Sequence, residues 1–168
     1  MELIEKNGPY LCLNMIVKNE GHIIKDTLTK LLKKVPEIDY WVISDTGSTD
    51  ETKKIISEFF KERNINGELF DDEWKDFGHN RTLALDHAFG KSKYLLVFDA
   101  DDEICGDFVL PDLIVDSYNL QFGDANGTSY TRTQIVNNKK KWKNKLMMVL
   151  SMNVLILRMM MIYVLKYL

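Results

Sequence analysis

The sequence predicts an α/β fold, a mostly parallel sheet flanked by helices, and three observations carry that prediction. Apolar runs of strand length alternate with segments of helical spacing through the first hundred residues. Consecutive strand-like runs are joined by a single helix-like segment, which demands parallel pairing through right-handed crossovers. Polar residues gather directly after the strands, at the carboxyl ends where open α/β sheets bind ligands.

The elements follow in order. Tyr10–Val17 is almost continuously apolar, as a strand buried on both faces must be. Ile23, Ile24, Leu28, Leu31, Leu32 and Val35 repeat at helical spacing, and Pro36 stops them. Tyr40–Ile43 reads as the second strand. Ser48-Thr49-Asp50-Glu51 has the pattern of a capping box with Ser48 as N-cap, and Ile55, Ile56, Phe59 and Phe60 form the helical face behind it. Glu68–Phe70 is a short strand, Asn80–Phe89 a helix ended by Gly90, and Tyr94–Phe98 another buried strand. Beyond Pro111 a short helix is expected over Leu113–Val115, then a turn over Gly123–Gly127. Thr128–Val136, rich in threonine, reads as an exposed or edge strand.

Composition bounds the function. A chain of 168 residues, 45% apolar and 28% charged, is a folded protein of one ordinary domain. Its net charge of −3 divides unevenly: residues 1–124 hold 25 acidic and 14 basic groups, whereas residues 125–168 hold eight basic groups and no acid. An acidic body argues against nucleic acid as partner, since the phosphate backbone would be repelled, and suits a site for divalent cations. Cys12 and Cys105 lack metal-ligand spacing and read as two buried thiols in a reduced setting. The amino-terminal residues do not form a signal peptide, so a cytoplasmic location is expected. Residues 1–145 are assigned to the domain and 146–168 to an atypical apolar tail holding six of the eight methionines. Arg158 and Lys166 interrupt that tail, so membrane association through it is possible but not favoured.

The chemistry is expected at three acidic strand ends: Lys18-Asn19-Glu20, Asp45-Thr46-Gly47-Ser48 and Asp99-Ala100-Asp101-Asp102. Clustered carboxylates repel one another unless a cation neutralises them, and a hard divalent ion does so with waters and substrate phosphates completing its shell. Two other readings fail on spacing. A calcium-binding loop opening at Asp99 would place Ile104 where glycine is needed and Leu110 where glutamate is needed. A dinucleotide fold needs a glycine-rich turn after the first strand, where this chain reads Val17-Lys18-Asn19-Glu20-Gly21. Asp45 can accept hydrogen bonds from a ribose or a base, and Gly47 permits a tight turn at a helix start. Arg81 either reaches a diphosphate or pairs with an acidic strand end. Ser48 and Asp50 read as helix caps, His79 as a polar residue at a helix start, and Lys18 as solvated.

Four blocks, Leu11–Glu20, Val42–Asp50, Asp76–Leu85 and Phe98–Asp102, together resemble the family 2 glycosyltransferases, nearest a branch often found beside tetratricopeptide repeats. The resemblance covers about residues 10–105, with a weaker likeness to about residue 143. It implies a GT-A fold, a nucleotide-sugar donor (a UDP-sugar such as UDP-glucose or UDP-N-acetylglucosamine), Mn²⁺ or Mg²⁺, and inversion at the transferred sugar. It implies that Asp45 holds the base, that Asp99 holds the ribose, and that Asp101, with Asp99, ligates the metal of an Asp-x-Asp motif. Met15, Val17, Asn19, Glu20, Gly47 and Ala100 would line the nucleotide, with Arg81 near the diphosphate. The acceptor, a glycan, protein or lipid, is not specified. The second half departs from the family pattern: after Trp142, a Gly-Val-x-His-Glu-like segment gives way to Asn144-Lys145-Leu146-Met147-Met148, and nothing beyond Asp124 is acidic. No general base is identified, and the tail reads as a truncated or frameshifted end. The alternative reading is a non-catalytic nucleotide-sugar-binding module or inactive remnant.

Overall fold

The computed structural model describes residues 8–123, 129–140 and 163–166. In chain order its elements are β1 (Leu11–Val17), α1 (Ile24–Lys34), β2 (Ile38–Asp45), α2 (Thr52–Glu62), β3 (Asn66–Asp71), α3 (Phe77–Ala88), β4 (Tyr94–Val97), β5 (Asp102–Ile104), β6 (Ser117–Gly123), β7 (Ser129–Asn137) and β8 (Tyr163–Lys166). They build one mixed sheet in the order β3-β2-β1-β4-β7-β6-β8-β5.

The parallel half matches the expectation from apolar runs. β1 pairs in parallel with β2 and β4, and β2 with β3. Side chains alternate across a strand, so a strand covered on both faces must be apolar at nearly every position. In β1, Leu11, Leu13, Met15 and Val17 join one core with Ile24, Leu28 and Leu31 of α1 and Ile56, Phe59 and Phe60 of α2. Cys12 faces the other way, into a smaller core with Val42, Leu95, Val97 and the α3 residues Leu85 and Ala88. Asn14, also on that face and fully buried, donates to Val42 O at 3.1 Å and to Ala84 O at 3.0 Å, tying α3 across β1 and β2.

Among the remaining elements β5, β6 and β8 match no expected strand, and four further regions differ from the expectation. β7 is an interior strand, antiparallel to β4 on one side and to β6 on the other. Its threonines Thr131 and Thr133, more exposed than the buried run Gln134–Val136, imitate an edge strand, and only pairing distinguishes the two. Residues 113–115 form no helix: Leu113 donates its amide to Tyr10 Oη, and Ile114 and Val115 donate theirs to Tyr118 Oη. α2 starts at Thr52 rather than after a Ser48 cap, because Asp50 Oδ1 accepts from the Thr52 amide at 3.0 Å while Ser48 Oγ is engaged elsewhere. α3 starts at Phe77, three residues before its expected start, because Asp76 is the N-cap and accepts from the His79 amide at 2.8 Å. Cys105 is half-buried, whereas Cys12 is fully buried, so only one of the two thiols is a core residue.

Residues 124–127 of the expected turn lie outside the described residues. So does the apolar tail, save β8, which pairs with β5 and β6. No helix among the described residues is long and apolar enough to cross a membrane.

Candidate functional site at the carboxyl ends of the parallel strands

Parallel pairing brings the ends of β1, β2 and β4 to the same edge of the sheet. Val17 lies in register with Asp45, and Thr46 donates from its amide to Val17 O at 2.9 Å. Phe98, just past β4, donates to Asn14 O of β1 at 3.0 Å. The three acidic segments therefore share one edge, as their position after buried strands requires.

The first two segments are sewn together by side chains. Asn19, held at φ 56°, donates its amide to Ser48 Oγ at 2.8 Å and accepts from the Thr49 amide at 2.8 Å through Oδ1. Glu20 donates its amide to Thr52 Oγ1, and Gly21 donates to Asp50 Oδ2 at 3.0 Å. A side chain at Gly21 would bring a Cβ within 2.8 Å of that oxygen. Asp45 is fully buried; its Oδ1 accepts from the Gly47 and Ser48 amides at 3.0 and 2.7 Å, a tight turn that Gly47 allows at φ +97°. Its second oxygen, Oδ2, is buried without a hydrogen-bond partner. A buried carboxylate oxygen lacking a donor is costly, and a ligand N–H or O–H would offset that cost.

The third segment is governed by arginines. Arg81, on α3 and 1% exposed, donates from Nη2 to Asp99 Oδ1 at 2.5 Å. Burial pushes its pKa down, while the Asp99 charge opposes that shift. Its Nε and Nη1 are buried without partners. Of the two readings left open for Arg81, the structure shows the pairing with a strand end. Arg132 of β7 approaches the same carboxylate, with Nη2 3.9 Å from Asp99 Oδ2 and 3.5 Å from Asp102 Oδ2, and its guanidinium lies 4.0 Å from the Phe122 ring centroid. Nothing in the sequence marked Arg132, because its partners are some thirty residues distant in the chain. Ala100 is buried and its carbonyl accepts from Thr27 Oγ1 at 2.8 Å, which anchors the turn to α1.

Asp101 is exposed on that turn. Glu20 titrates above the ordinary carboxylate range, chiefly because burial disfavours its charge, with the negative charges of Asp101 and Asp50 adding to the shift against His22. The crowding expected of three carboxylates is thus relieved at Asp45 by backbone amides and at Asp99 by arginine, and persists between Glu20 and Asp101. Among the described residues no three of His, Cys, Asp and Glu form a ready metal-binding group. One or two carboxylates suffice for a Mg²⁺-like ion that takes its other ligands from water and phosphate. The Glu20–Asp101 neighbourhood fits that requirement.

Beside Arg81 and Asp99 opens a cleft of about 280 Å³, lined also by Ile16, Val17, Lys18, Thr46, Trp74 and Phe77. Of the residues named from sequence, Val17, Arg81 and Asp99 line it. Met15 does not, because its side chain belongs to the apolar core. Lys18 is exposed, as expected, and reaches the cleft wall. Trp74 and Phe77 were not among the residues named for the site, because the search went to acids at strand ends and neither is charged; large aromatic residues in the polar stretch after β3 were the available signal.

Comparison with protein families matches residues 12–161 to "Glycosyl transferase family 2". No curated protein matches the chain. Among solved structures, S. aureus TarS 1-349 in complex with UDP superposes with a TM-score of 0.55 at 22% identity, covering 71% of this chain and 37% of that one. GalNAc-T7 with UDP, GalNAc and Mn²⁺ gives 0.54 at 14% identity, covering 79% and 26%. The chain therefore spans well under half the length of these structures. At such identities the likeness shows the fold, a GT-A sheet.

Proposed function

Because the chain belongs to glycosyl transferase family 2, we propose that it transfers a sugar from a nucleotide-sugar donor, a UDP-sugar such as UDP-glucose or UDP-N-acetylglucosamine, to a hydroxyl acceptor with inversion. The observation that carries this reading is the buried, unpartnered Asp45 Oδ2 at the same sheet edge as a cleft containing Arg81 and Asp99. Asp45 would accept the N–H of the base and Asp99 a ribose hydroxyl. Arg81, whose remaining donors lack partners, would face the diphosphate as a fixed cation. Asp101 would hold Mn²⁺ or Mg²⁺, with Glu20 taking the part expected of Asp99, whose carboxylate meets Arg81 and Arg132; the metal, when bound, offsets charge on the departing diphosphate. TarS bound to UDP-GlcNAc and GalNAc-T7 bound to UDP with Mn²⁺ support this donor class.

In the reaction the acceptor oxygen bonds to the anomeric carbon, the bond from that carbon to the diphosphate breaks, and the nucleoside diphosphate leaves with the bonding pair. The acceptor proton needs a base within hydrogen-bond reach. No acid stands beyond Asp124, which favours a second reading, a donor-binding module without transfer activity.

Calorimetric titration of UDP with and without Mn²⁺ tests the proposal. Metal-dependent binding is expected, and Asp101→Ala should abolish the metal dependence while leaving stability within about 0.5 kcal/mol, since Asp101 is exposed. Folded protein that ignores UDP in both conditions would overturn it. Transfer or donor hydrolysis that disappears in Asp101→Ala would remove the second reading.

A further inference from the structure

Two large aromatic side chains in the cleft are held where the core gains little from them. Trp74 is 46% exposed and Phe77 44% exposed, although both form part of the cleft wall. Rings left in water forgo the burial that would otherwise stabilise the fold. Trp74 nevertheless has a built support. Asn80, fully buried on α3, donates through Nδ2 to Glu73 O at 3.0 Å and accepts from the Lys75 amide at 3.0 Å through Oδ1. One carboxamide therefore grips the backbone on both sides of Trp74. Phe77 opens α3 one turn before Arg81, whose guanidinium carbon lies 5.6 Å from the ring centroid. The rest of the wall comes from the ends of β1, β2 and β4.

We infer that Trp74 and Phe77 form the stacking wall for the nucleobase of the donor, with Asn80 as the positioning residue that presents Trp74. The inference rests on the nucleotide-sugar reading. A base suits the place better than a sugar ring does, because it offers a flat π face to the aromatic wall and an N–H edge. Such an edge is what the buried Oδ2 of Asp45 lacks, one residue along the chain from Thr46 of the same wall. Every base has a π face, so stacking sets affinity without choosing the base. The choice of base falls to Asp45, the affinity to Trp74.

The test follows tryptophan fluorescence and binding heat in the full chain with Mn²⁺, using UDP, GDP, inorganic pyrophosphate and N-acetylglucosamine as probes. Trp41, buried against Phe60 at a centroid distance of 4.6 Å, and Trp142 are both retained in Trp74→Phe, so the difference between wild type and that variant isolates the Trp74 signal. UDP and GDP should both quench that signal. Trp74→Ala should weaken both by about tenfold or more, the loss typical of a removed base–aromatic stack, and leave pyrophosphate binding unchanged. Trp74→Phe should retain most of the affinity, and Asn80→Ala should weaken UDP with pyrophosphate again unaffected. UDP binding with wild-type affinity in Trp74→Ala, or quenching by N-acetylglucosamine but not UDP, would overturn the inference and leave the donor reading standing. Folded protein that binds neither nucleotide would overturn both.

Discussion

Strands β1, β2 and β4 are buried along almost their whole length, whereas β6 alternates buried Leu120 and Phe122 with more exposed Asn119 and Gln121. The first set lies between two helical layers, with α1 and α2 packing on one side and α3 on the other. The second set is antiparallel except where β8 joins β6. The difference shows a division of labour. The parallel half presents loops at strand ends, where backbone amides and acids gather at the edge at which open α/β sheets bind ligands. The antiparallel half contributes from the middle of a strand: Arg132 projects from β7 toward Asp99.

Whether the two halves fold as one unit is the largest question that mutation can put to this comparison. Phe60 in the parallel half and Phe122 in the other are both fully buried in the same core cluster. Replacing either by alanine should cost about 3–5 kcal/mol in denaturant unfolding, with a single transition retained. Two separated transitions in Phe122→Ala alone would break the picture of a shared core.

The two arginines sharpen the comparison at the site. Arg81→Met should cost roughly 3 kcal/mol, the lower end for loss of a buried partner, since Asp99 keeps Arg132 and some water. Arg132→Met should cost less, about 2 kcal/mol, because its contacts at 3.5 and 3.9 Å are long even though the Asp102 carboxylate they reach is buried. Equal losses in thermal unfolding would mean that β7 matters to the site as much as α3 does. At the β2 end, Gly47→Ala should lose about 1 kcal/mol, since φ +97° is unfavourable for any side chain even though the space is open.

The smallest effect is a pH dependence. Burial holds the folded-state pKa of Glu20 above its unfolded value, so the folded state binds the proton longer. Its contribution favours folding at low pH and declines as pH rises through the interval between the two values. Glu20→Gln should flatten that decline in a series of thermal melts, and added Mn²⁺ should have less effect on the variant than on the wild type. An unchanged pH profile would show that the burial of Glu20 is energetically silent.

Much of this was legible from local pattern. The strands Leu11–Val17 and Tyr94–Val97 could be read because burial on both faces leaves them almost continuously apolar, with Asn14 the one polar side chain between them, and α1 because its buried residues recur at 3.6-residue spacing. Asp45 and Asp99 were identified from the same pattern, as acids at the carboxyl ends of apolar strands. The start of α2 was misplaced because Ser48 and Asp50 satisfy a capping pattern locally while their side chains bond to the β1 loop, some thirty residues earlier. The helix expected at Leu113–Val115 does not form; the amides there donate instead to the hydroxyls of Tyr10 and Tyr118, the first of them 103 residues away in the chain.

The sequence by itself therefore determined the order of the parallel elements and the acidic residues at their ends, because hydrophobic periodicity and strand termination are properties of a few adjacent residues. Only the tertiary structure decided which charge each carboxylate meets. Asp99 faces Arg81 and Arg132, Asp45 keeps one oxygen unpartnered, and Glu20 feels Asp101. Coulombic and hydrogen-bonded partners are chosen by distance in space, which one-dimensional spacing does not encode.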